Sequence, residues 1–526
     1  MATESLFERR APLWLLGPLL LCLGAVYVLY AQTATEGMDT TGYVYAAEQL
    51  AQGQLPKYCN DYNELIGPYF MYYAFSAKAN VAGPCRFYSY PLGFPLLLAG
   101  ARLLTGHPQA VYYVVPLIGL CGLAGVFVLG RLLFDSSWGG LWAALWLGAA
   151  PTYLYFATSP WSDMPGAVAV LWGIALYLSC SRQRLPLTRA ILATVAGGLI
   201  GYSLWIRYVN AIVIPPLAFY VVWSEKRRLL RDPSHYLFFG TAGLFTLGSL
   251  IYNRIYYGGF LLTGYSPEHF PVPGSLFSIR DLFGSSSFFG RSALGVMRTL
   301  WENFSISLLL VPLALARTRF AKAILVGGTA LLISLLYSLR ASPPAGINAR
   351  YLLLALAMLS LLVGSGLTLL IGRARERPKL YHALLITVTL LLLLPLPFRL
   401  RALVERNKAI LAKVRLVQDY TQSTEPNAVF LSYLENDLII YYGHRTALTY
   451  RRIPTPDNIL RGYRLEELEP RLVESVDYLL KHDVPVYYIK DLPTPLWDSL
   501  AILERHYTLS RYRDQPEVYR IKSKGS

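Results

Sequence analysis

Residues 12–31 read PLWLLGPLLLCLGAVYVLYA, an unbroken apolar run that follows Glu8, Arg9 and Arg10. About 20 such residues in a helix cross the roughly 30 Å of hydrocarbon in a bilayer. The run could also be a signal peptide, but Tyr30-Ala31-Gln32 is a poor small-x-small cleavage site. We therefore expect a retained first membrane span.

Similar apolar runs recur along most of the chain, which is 54% hydrophobic and only 15% charged. A soluble protein carries about 25% charged residues. The sequence therefore predicts an all-α polytopic membrane protein with about eleven transmembrane helices. The predicted spans are residues 12–31, 109–134, 138–157, 164–181, 189–206, 209–223, 235–256, 301–316, 320–339, 350–371 and 380–398.

The net charge of +16 comes largely from alternate connectors between these spans. Cations in short loops mark the cytoplasmic side, so the pattern predicts topology rather than a nucleic-acid partner. The protein is expected in the inner (plasma) membrane, with a cytoplasmic N-terminus and an extracytoplasmic (periplasmic) C-terminus. Counting the short apolar run at 92–104 as a span would invert this pattern, so we expect an interfacial helix there. The connector cations are Arg131; Arg182, Arg184 and Arg189; Lys226, Arg227, Arg228 and Arg231; Arg317, Arg319 and Lys322; Arg373, Arg375, Arg377 and Lys379.

Three long regions fall on the outer side: the loops 32–107 and 257–300, and the tail 399–526. The chain then divides into a transmembrane domain, residues 1–398, and an extracytoplasmic domain, residues 399–526. Strand-like and helical patterns alternate along the tail, which predicts a small α/β domain. The predicted strands are 428–434, 438–442, 484–489 and 518–521, and the predicted helices are 465–481 and 495–505.

Two of the five cysteines, Cys59 and Cys85, lie in the first outer loop. The outer compartment is oxidising, so we expect a disulfide between them, with two free thiols as the alternative. A bridge over this loop would contribute roughly 3 kcal/mol in the chain-entropy model. Cys22, Cys121 and Cys180 fall inside predicted spans and are interpreted as packing residues.

Soluble-enzyme motifs are missing from the sequence: there is no Walker loop, dinucleotide fingerprint, HExxH or paired CxxC. The seven histidines are scattered, so the sequence does not support a metal site. The cytoplasmic connectors are short and hold little besides Arg and Lys. Chemistry is therefore expected on the outer face.

Asp39 follows the first span at once and leads into a predicted short helix at 44–50. A carboxylate held near the membrane surface has the fixed placement that a general base needs. Alternatively, Asp39 caps that helix by accepting backbone N–H groups, and the local pattern alone favours the cap.

A second acid, Asp163, stands between two predicted spans in SPWSDMPG. An uncompensated carboxylate in a membrane costs roughly 2.5–3.5 kcal/mol on insertion scales, which points to a function. Pro165 in the first turn of the next helix equally supports an N-cap, and both roles are compatible.

Two arginines, Arg207 and Arg350, lie at outer span ends, on the side that the positive-inside pattern leaves poor in cations. Arg binds phosphate bidentately, so they are candidates for a lipid phosphate. The alternative is snorkelling to the headgroups. Arg350→Ala is expected to weaken use of the donor far more than folding, since an exposed surface arginine rarely contributes more than about 0.5 kcal/mol. Lys57 is a further candidate, and Arg86 and Arg340 are weaker ones.

Several short motifs in order resemble those of the GT-C glycosyltransferases, in particular the bacterial relatives of protein O-mannosyltransferases and of the lipid A aminoarabinose transferase. The resemblance covers roughly residues 10–400 and the tail only loosely. It is carried by Asp39 with Tyr43 and residues 46–50; by YPLGFP from Tyr90; by Ser162-Asp163-Met164-Pro165; and by Arg207 and Arg350-Tyr351.

The resemblance implies an inverting transfer of a sugar from a polyprenyl-phosphate donor in the membrane lipid to an acceptor hydroxyl of a lipid, glycan or protein. Asp39 and Asp163 would be catalytic. The donor or substrate would be bound by Arg207, Arg350, Tyr351, Tyr43, Lys57 and Tyr90. No cofactor would be required, although a divalent metal is possible in the family. Thr40 and Tyr90 stand where relatives often carry Glu and Lys, so a metal or lysine contact is doubtful here.

The main rival is a transporter or lipid flippase for cell-envelope glycolipids, and a polysaccharide-assembly scaffold is a third hypothesis. Transporters place ionisable residues near mid-membrane and often contain inverted repeats. Here the candidate charges gather at span ends on one face, which favours the transferase.

The topology is testable with an impermeant maleimide and single-cysteine proteins in intact cells. Because residues 399–526 are predicted outside and the basic connectors inside, Pro470→Cys should label and Leu230→Cys should not. Labelling of Leu230→Cys without Pro470→Cys would reverse the predicted topology.

Overall fold

The computed structural model describes residues 6–62, 73–75, 84–225, 231–264, 286–339, 346–432, 436–448, 465–490, 498–513 and 517–524. Most of this part of the chain is helical. The helices are α1 (Leu6–Leu29), α2 (Met38–Ala51), α3 (Gly93–Thr105), α4 (Val114–Phe134), α5 (Ser137–Ala149), α6 (Pro151–Ala157), α7 (Asp163–Cys180), α8 (Pro186–Ile206), α9 (Ile214–Glu225), α10 (Pro233–Tyr257), α11 (Ser286–Phe304), α12 (Leu310–Arg317), α13 (Phe320–Ser338), α14 (Leu353–Ala374), α15 (Pro378–Leu393), α16 (Leu396–Ser423), α17 (Asn436–Tyr441), α18 (Leu465–Lys481) and α19 (Ser499–His506).

Short tighter segments join several of these helices. A π-helical turn at Ile324–Gly328 lies within α13. The 3₁₀ segments are Tyr73–Phe75, Pro108–Tyr113, Tyr208–Val213, Ser305–Leu309 and Gly346–Leu352. The segment Tyr208–Val213 directly follows Arg207, and the segment Gly346–Leu352 contains Arg350.

Eight helical stretches in the described residues are long and apolar enough to cross a membrane. They are Ala11–Leu29, Pro108–Phe134, Asp163–Cys180, Pro186–Ile206, Gly290–Arg317, Phe320–Ser338, Gly346–Ala374 and Pro378–Ser423. Each of the eleven predicted spans coincides with helix, but those at 138–157, 209–223 and 235–256 are not among the eight. The first of these is broken between α5 and α6 at Pro151, which cannot donate a helical hydrogen bond. The number eleven therefore remains a prediction.

The bundle packs through small residues, as membrane helices do when their backbones approach closely. A Cβ added at Gly140 on α5 would lie 2.3 Å from the carbonyl oxygen of Phe127 on α4. Helix α7 is almost wholly enclosed by its neighbours, whereas Trp14, Leu21 and Leu29 on α1 are exposed. Such exposed apolar side chains suit contact with lipid.

Helix α2 and α3 pack against each other at one end of the bundle. Helix α3 occupies the run predicted to lie at the interface, and α2 begins six residues before the predicted start at 44. A Cβ at Gly93, the first residue of α3, would lie 2.5 Å from the carbonyl carbon of Trp205. This close approach fixes the start of α3 against the end of α8.

A two-stranded antiparallel hairpin beside α2 pairs β1 (Lys57–Cys59) with β2 (Cys85–Phe87). Cys59 lies opposite Cys85, and the predicted disulfide joins them. The second predicted loop, 257–300, begins where α10 ends at Tyr257. Helix α11 begins at Ser286 and covers the last part of this predicted loop. Residues 265–285 lie outside the described residues.

The C-terminal region contains a mixed five-stranded sheet of order β4-β3-β5-β7-β6. Its first three strands in that order are parallel, and β7 is antiparallel to both β5 and β6. The strands are β3 (Val429–Leu431), β4 (Thr446–Leu448), β5 (Val486–Ile489), β6 (Tyr507–Arg511) and β7 (Val518–Ser523). Together with the helical bundle, this sheet confirms the predicted fold class.

One predicted strand, 438–442, is wrong, because these residues form helix α17 instead. A short continuous apolar run has no periodicity that separates a buried strand from a buried helix. Strands β4 and β6 were not predicted. The parts of the other predictions at 433–434 and 495–497 lie outside the described residues.

The disulfide is testable by peptide mapping of the native protein without reductant. Because Cys59 and Cys85 are paired across the hairpin, one linked peptide pair should be recovered. Recovery of both as free thiols, or of either linked to Cys22, would contradict the structure of this loop.

Candidate functional site

Asp39 does not cap helix α2, so that interpretation is wrong. The N-cap is Gly37, and the hydroxyl of Thr40 accepts the Gly37 N–H at 3.1 Å. The Asp39 carboxylate instead accepts the Tyr90 hydroxyl at 2.6 Å and Arg350 Nη2 at 2.8 Å. The carboxylate is therefore directed at other segments of the chain rather than at its own backbone.

Asp163 is the first residue of α7, and Ser162 occupies the N-cap position. The Asp163 side chain is 4% exposed. Its Oδ2 lies 2.7 Å from Arg207 Nη1 and 3.4 Å from Arg350 Nε. The two acids and two arginines thus form a continuous series, Asp39–Arg350–Asp163–Arg207, which we call the acid–arginine chain. Its formal charges cancel.

Neither arginine snorkels, so that alternative is wrong for both. Arg207 is the C-cap of α8 and Arg350 lies in the 3₁₀ segment before α14. Their side chains are 20% and 8% exposed. Arg350 also stacks on Trp161, with its guanidinium carbon 3.8 Å from the ring centroid. The expectation that Arg350 is an exposed arginine of small energetic weight is therefore wrong as well.

Three tyrosines predicted for the site surround the acid–arginine chain. Tyr43, one turn after Asp39 on α2, accepts the Ser162 hydroxyl at 3.0 Å, and its ring packs against that of Tyr90. Burial and the Asp39 carboxylate hold the pKa of Tyr43 well above its usual range, so its phenol stays neutral. Tyr351 accepts Arg350 Nη2 at 3.1 Å and stacks on Tyr337.

The structure does not bring Lys57 into this cluster. Its side chain is exposed on β1, and its backbone pairs with the Gln49 side chain. Arg86 is buried in β2, where its guanidinium donates to the Cys85 carbonyl. Arg340 lies outside the described residues.

Sequence analysis missed a second arginine-centred cluster beside the site. Arg406 on α16 donates to the Ser159 hydroxyl at 2.7 Å and to the carbonyls of Tyr155 and Tyr30. It thereby ties the end of α1, which leads to Asp39, to the segment that leads to Asp163. Trp161 was missed too. Neither Arg406 nor Trp161 had a local signal in the sequence. Arg406 falls in the part of the chain that composition assigns to the C-terminal domain, and a lone Trp beside a span is common at membrane interfaces.

The geometry defines what the site can do chemically. A carboxylate can take a proton, and the guanidinium groups can bind an anion bidentately or stabilise charge that develops on it. Four chain segments that are distant in sequence supply the four charged groups. Such convergence on one end of a helical bundle is a constellation for chemistry on an anionic substrate.

A comparison with known families matches the stretch of the chain that contains part of this constellation. Residues 89–252 match the family model described as dolichyl-phosphate-mannose-protein mannosyltransferase. That stretch contains Tyr90, Asp163 and Arg207, but it ends before Arg350. A search of curated protein sequences gives no match.

Solved structures match over nearly the whole chain. ArnT from Cupriavidus metallidurans bound to undecaprenyl phosphate is similar with a TM-score of 0.63 and 16% identity, covering 97% of this chain and 98% of that one. Its apo state gives a TM-score of 0.57, with 16% identity and 97% of each chain covered. The Archaeoglobus fulgidus oligosaccharyltransferase in complex with Zn and sulfate gives 0.55, with 12% identity, covering 89% of this chain and 67% of that one. The resemblance to GT-C glycosyltransferases is thus confirmed, and at these identities it establishes the fold.

Removing Arg350 should destabilise the protein strongly. Arg350→Ala leaves two carboxylates of low exposure without their shared partner, and breaking a buried ion pair costs about 3–5 kcal/mol. The measurement is unfolding in detergent, with Arg102→Ala as the control. Arg102 pairs with Glu48, and both side chains are about a quarter exposed, so its loss should cost at most about 1 kcal/mol. Equal stability of the two variants would show that Arg350 does not balance the acids.

Proposed function

We propose that the protein is an inverting glycosyltransferase that moves a sugar from a polyprenyl-phosphate donor to an acceptor hydroxyl. The observation that carries this proposal is the acid–arginine chain, in which a candidate base and two phosphate-binding groups adjoin each other. The GT-C fold and the family match to residues 89–252 support it.

The donor phosphate would bind at Arg350 and Arg207. A polyprenyl-phosphate sugar is a phosphodiester with one negative charge, and a guanidinium presents two parallel N–H donors to such a group. Arg350 is already held flat against Trp161, which limits the freedom lost when the anion binds. A similar fold in ArnT holds undecaprenyl phosphate, which supports a lipid phosphate as the ligand here.

Donor binding would also release the base. Arg350 Nη2 bonds Asp39, so a phosphate that takes over this guanidinium leaves the Asp39 carboxylate with Tyr90. Asp39 then removes the proton from the acceptor hydroxyl. The acceptor oxygen bonds to the anomeric carbon while the bond from that carbon to the phosphate oxygen breaks on the opposite face.

The electron pair leaves with the phosphate, which becomes a monoester with an additional negative charge. Arg207 and Arg350 would stabilise this charge as it develops, which is the larger share of catalysis in such sites. Asp163 forms ion pairs with both arginines and would hold them in place. We propose that the transfer needs no metal, because the lipid phosphate is already a good leaving group and the two guanidinium groups supply positive charge beside it.

The proposed site lies on the extracytoplasmic face, at the inner (plasma) membrane. The first outer loop and the C-terminal region share one end of the bundle, because α2 contacts α17. The basic side chains of Arg182 and Lys322 lie elsewhere, near Asp135 at the end of α4. The rival transporter hypothesis gains no support, since the acid–arginine chain stands at helix ends rather than within a helix.

Asp39→Asn should lower the transfer rate about 10²–10⁴-fold, because the amide keeps the shape of the side chain but cannot take a proton. The measurement is release of undecaprenyl phosphate from lipid-linked sugars extracted from the host membrane, followed by mass spectrometry, with host membrane as the acceptor source. Binding of undecaprenyl phosphate should persist.

The matched control is Asp61→Asn, which makes the same change at an exposed position of the same loop and should leave the rate unchanged. A folded Asp39→Asn protein that transfers sugar within a few-fold of wild type would contradict the role of Asp39 as the base. Asp163 would then be the remaining candidate.

A further inference from the structure

Helix α2 has a second face that the proposed reaction does not use. Asp39 and Tyr43 are four residues apart and face the acid–arginine chain. Thr41, Tyr45 and Glu48 follow the spacing i, i+4, i+7, which places them on one stripe of a helix with 3.6 residues per turn. At about 100° per residue, that stripe lies on the side of α2 opposite Asp39. It is covered by α17 of the C-terminal region.

The first contact on this face is buried completely. The Thr41 hydroxyl lies 2.9 Å from Asp437 Oδ2, and both residues are 0% exposed. Thr41 donates this hydrogen bond to Asp437. Breaking a hydrogen bond between two fully buried groups is costly, which makes this contact an anchor at the first turn of α2.

The second contact lies two turns further along. The Tyr441 hydroxyl donates to Glu48 Oε1 at 2.9 Å, and Glu48 also pairs with Arg102 of α3. Burial and the Glu48 carboxylate hold the pKa of Tyr441 well above its usual range, so the phenol keeps the proton that it donates. The Tyr441 ring also packs edge-on against Tyr45.

A third contact fixes the chain just before α2. The Tyr442 hydroxyl accepts the backbone N–H of Thr35 at 2.9 Å and lies 3.0 Å from the Tyr112 hydroxyl. Residues 35, 41 and 48 are therefore held by three residues of one short segment, 437–442. An isolated helix as short as α2 is marginal in water, so its position depends on packing of this kind.

We propose that the C-terminal region positions the candidate base, with Thr41, Glu48, Asp437 and Tyr441 as positioning residues. They hold α2 from the side opposite to Asp39, so that its carboxylate stays within reach of Arg350 and Tyr90. The catalytic consequence rests on the proposed function. The mechanical coupling between α17 and α2 does not.

The test compares Tyr441→Phe and Thr41→Val with Tyr507→Phe. Tyr507 is the matched control, because its hydroxyl also donates to a carboxylate, Asp477 at 2.7 Å, but within the C-terminal region and away from α2. Thr41→Ser restores the hydroxyl and is the rescue variant. The readouts are amide hydrogen exchange of residues 38–51, affinity for undecaprenyl phosphate, and the transfer rate measured with lipid-linked sugars from the host membrane.

Tyr441→Phe and Thr41→Val should raise exchange in α2 several-fold and lower the transfer rate about 10–100-fold, since a small misplacement of a reacting group is costly. Affinity for undecaprenyl phosphate should stay within about two-fold, because neither residue adjoins the arginines. Tyr507→Phe should change neither exchange in α2 nor the rate, and Thr41→Ser should restore both.

Three results would overturn the proposal. The first is unchanged exchange in α2 in both Tyr441→Phe and Thr41→Val. The second is raised exchange with a wild-type transfer rate, and the third is a transfer rate that falls equally in Tyr507→Phe. Failure of the proposed function is recognised separately, as full turnover by Asp39→Asn while the exchange coupling between α17 and α2 persists.

Discussion

Two guanidinium groups shared between two carboxylates are the constraint on which this end of the helical bundle depends. An unpaired charge of low exposure is costly, so Asp39, Arg350, Asp163 and Arg207 must converge or lose stability. They come from the start of α2, the segment before α14, the start of α7 and the end of α8. Each member satisfies its neighbour, which means that no segment can be displaced alone.

Other features of the structure serve this convergence. Gly93 permits α3 to approach the backbone at the end of α8, which fixes the segment that carries Arg207. Arg406 and its neighbour Asn407 bond the carbonyl of Tyr30, at the exit of α1. Helix α16, which follows α15, thus reaches back to the segments that lead to both acids. The C-terminal region is joined to the site twice, through α16 and through α17.

Much of this could be predicted from the sequence, because the signals are local or compositional. Apolar runs mark the spans, and the basic connectors mark one face. Charges at the predicted outer ends of spans are rare, and this rarity indicates Asp39, Asp163, Arg207 and Arg350. The pairing of Asp39 with Arg350 was not predictable, since these positions are 311 residues apart. The N-cap of α2 was misjudged because Gly37 takes that position and the Thr40 hydroxyl, rather than Asp39, bonds a backbone N–H there. A strand was predicted at 438–442 because these residues are a short apolar run. Such a run has no periodicity that distinguishes a buried strand from a buried helix.

The balance of charges in the acid–arginine chain also bears on how the spent carrier departs. In the proposed reaction the monoester product carries up to one more negative charge than the donor, and would therefore hold the arginines more tightly than the donor does. Asp163 competes for the same guanidinium groups, and so does Asp39 once it has released the proton that it took from the acceptor. In that reaction the carboxylates that await the donor would therefore also help to expel the lipid phosphate.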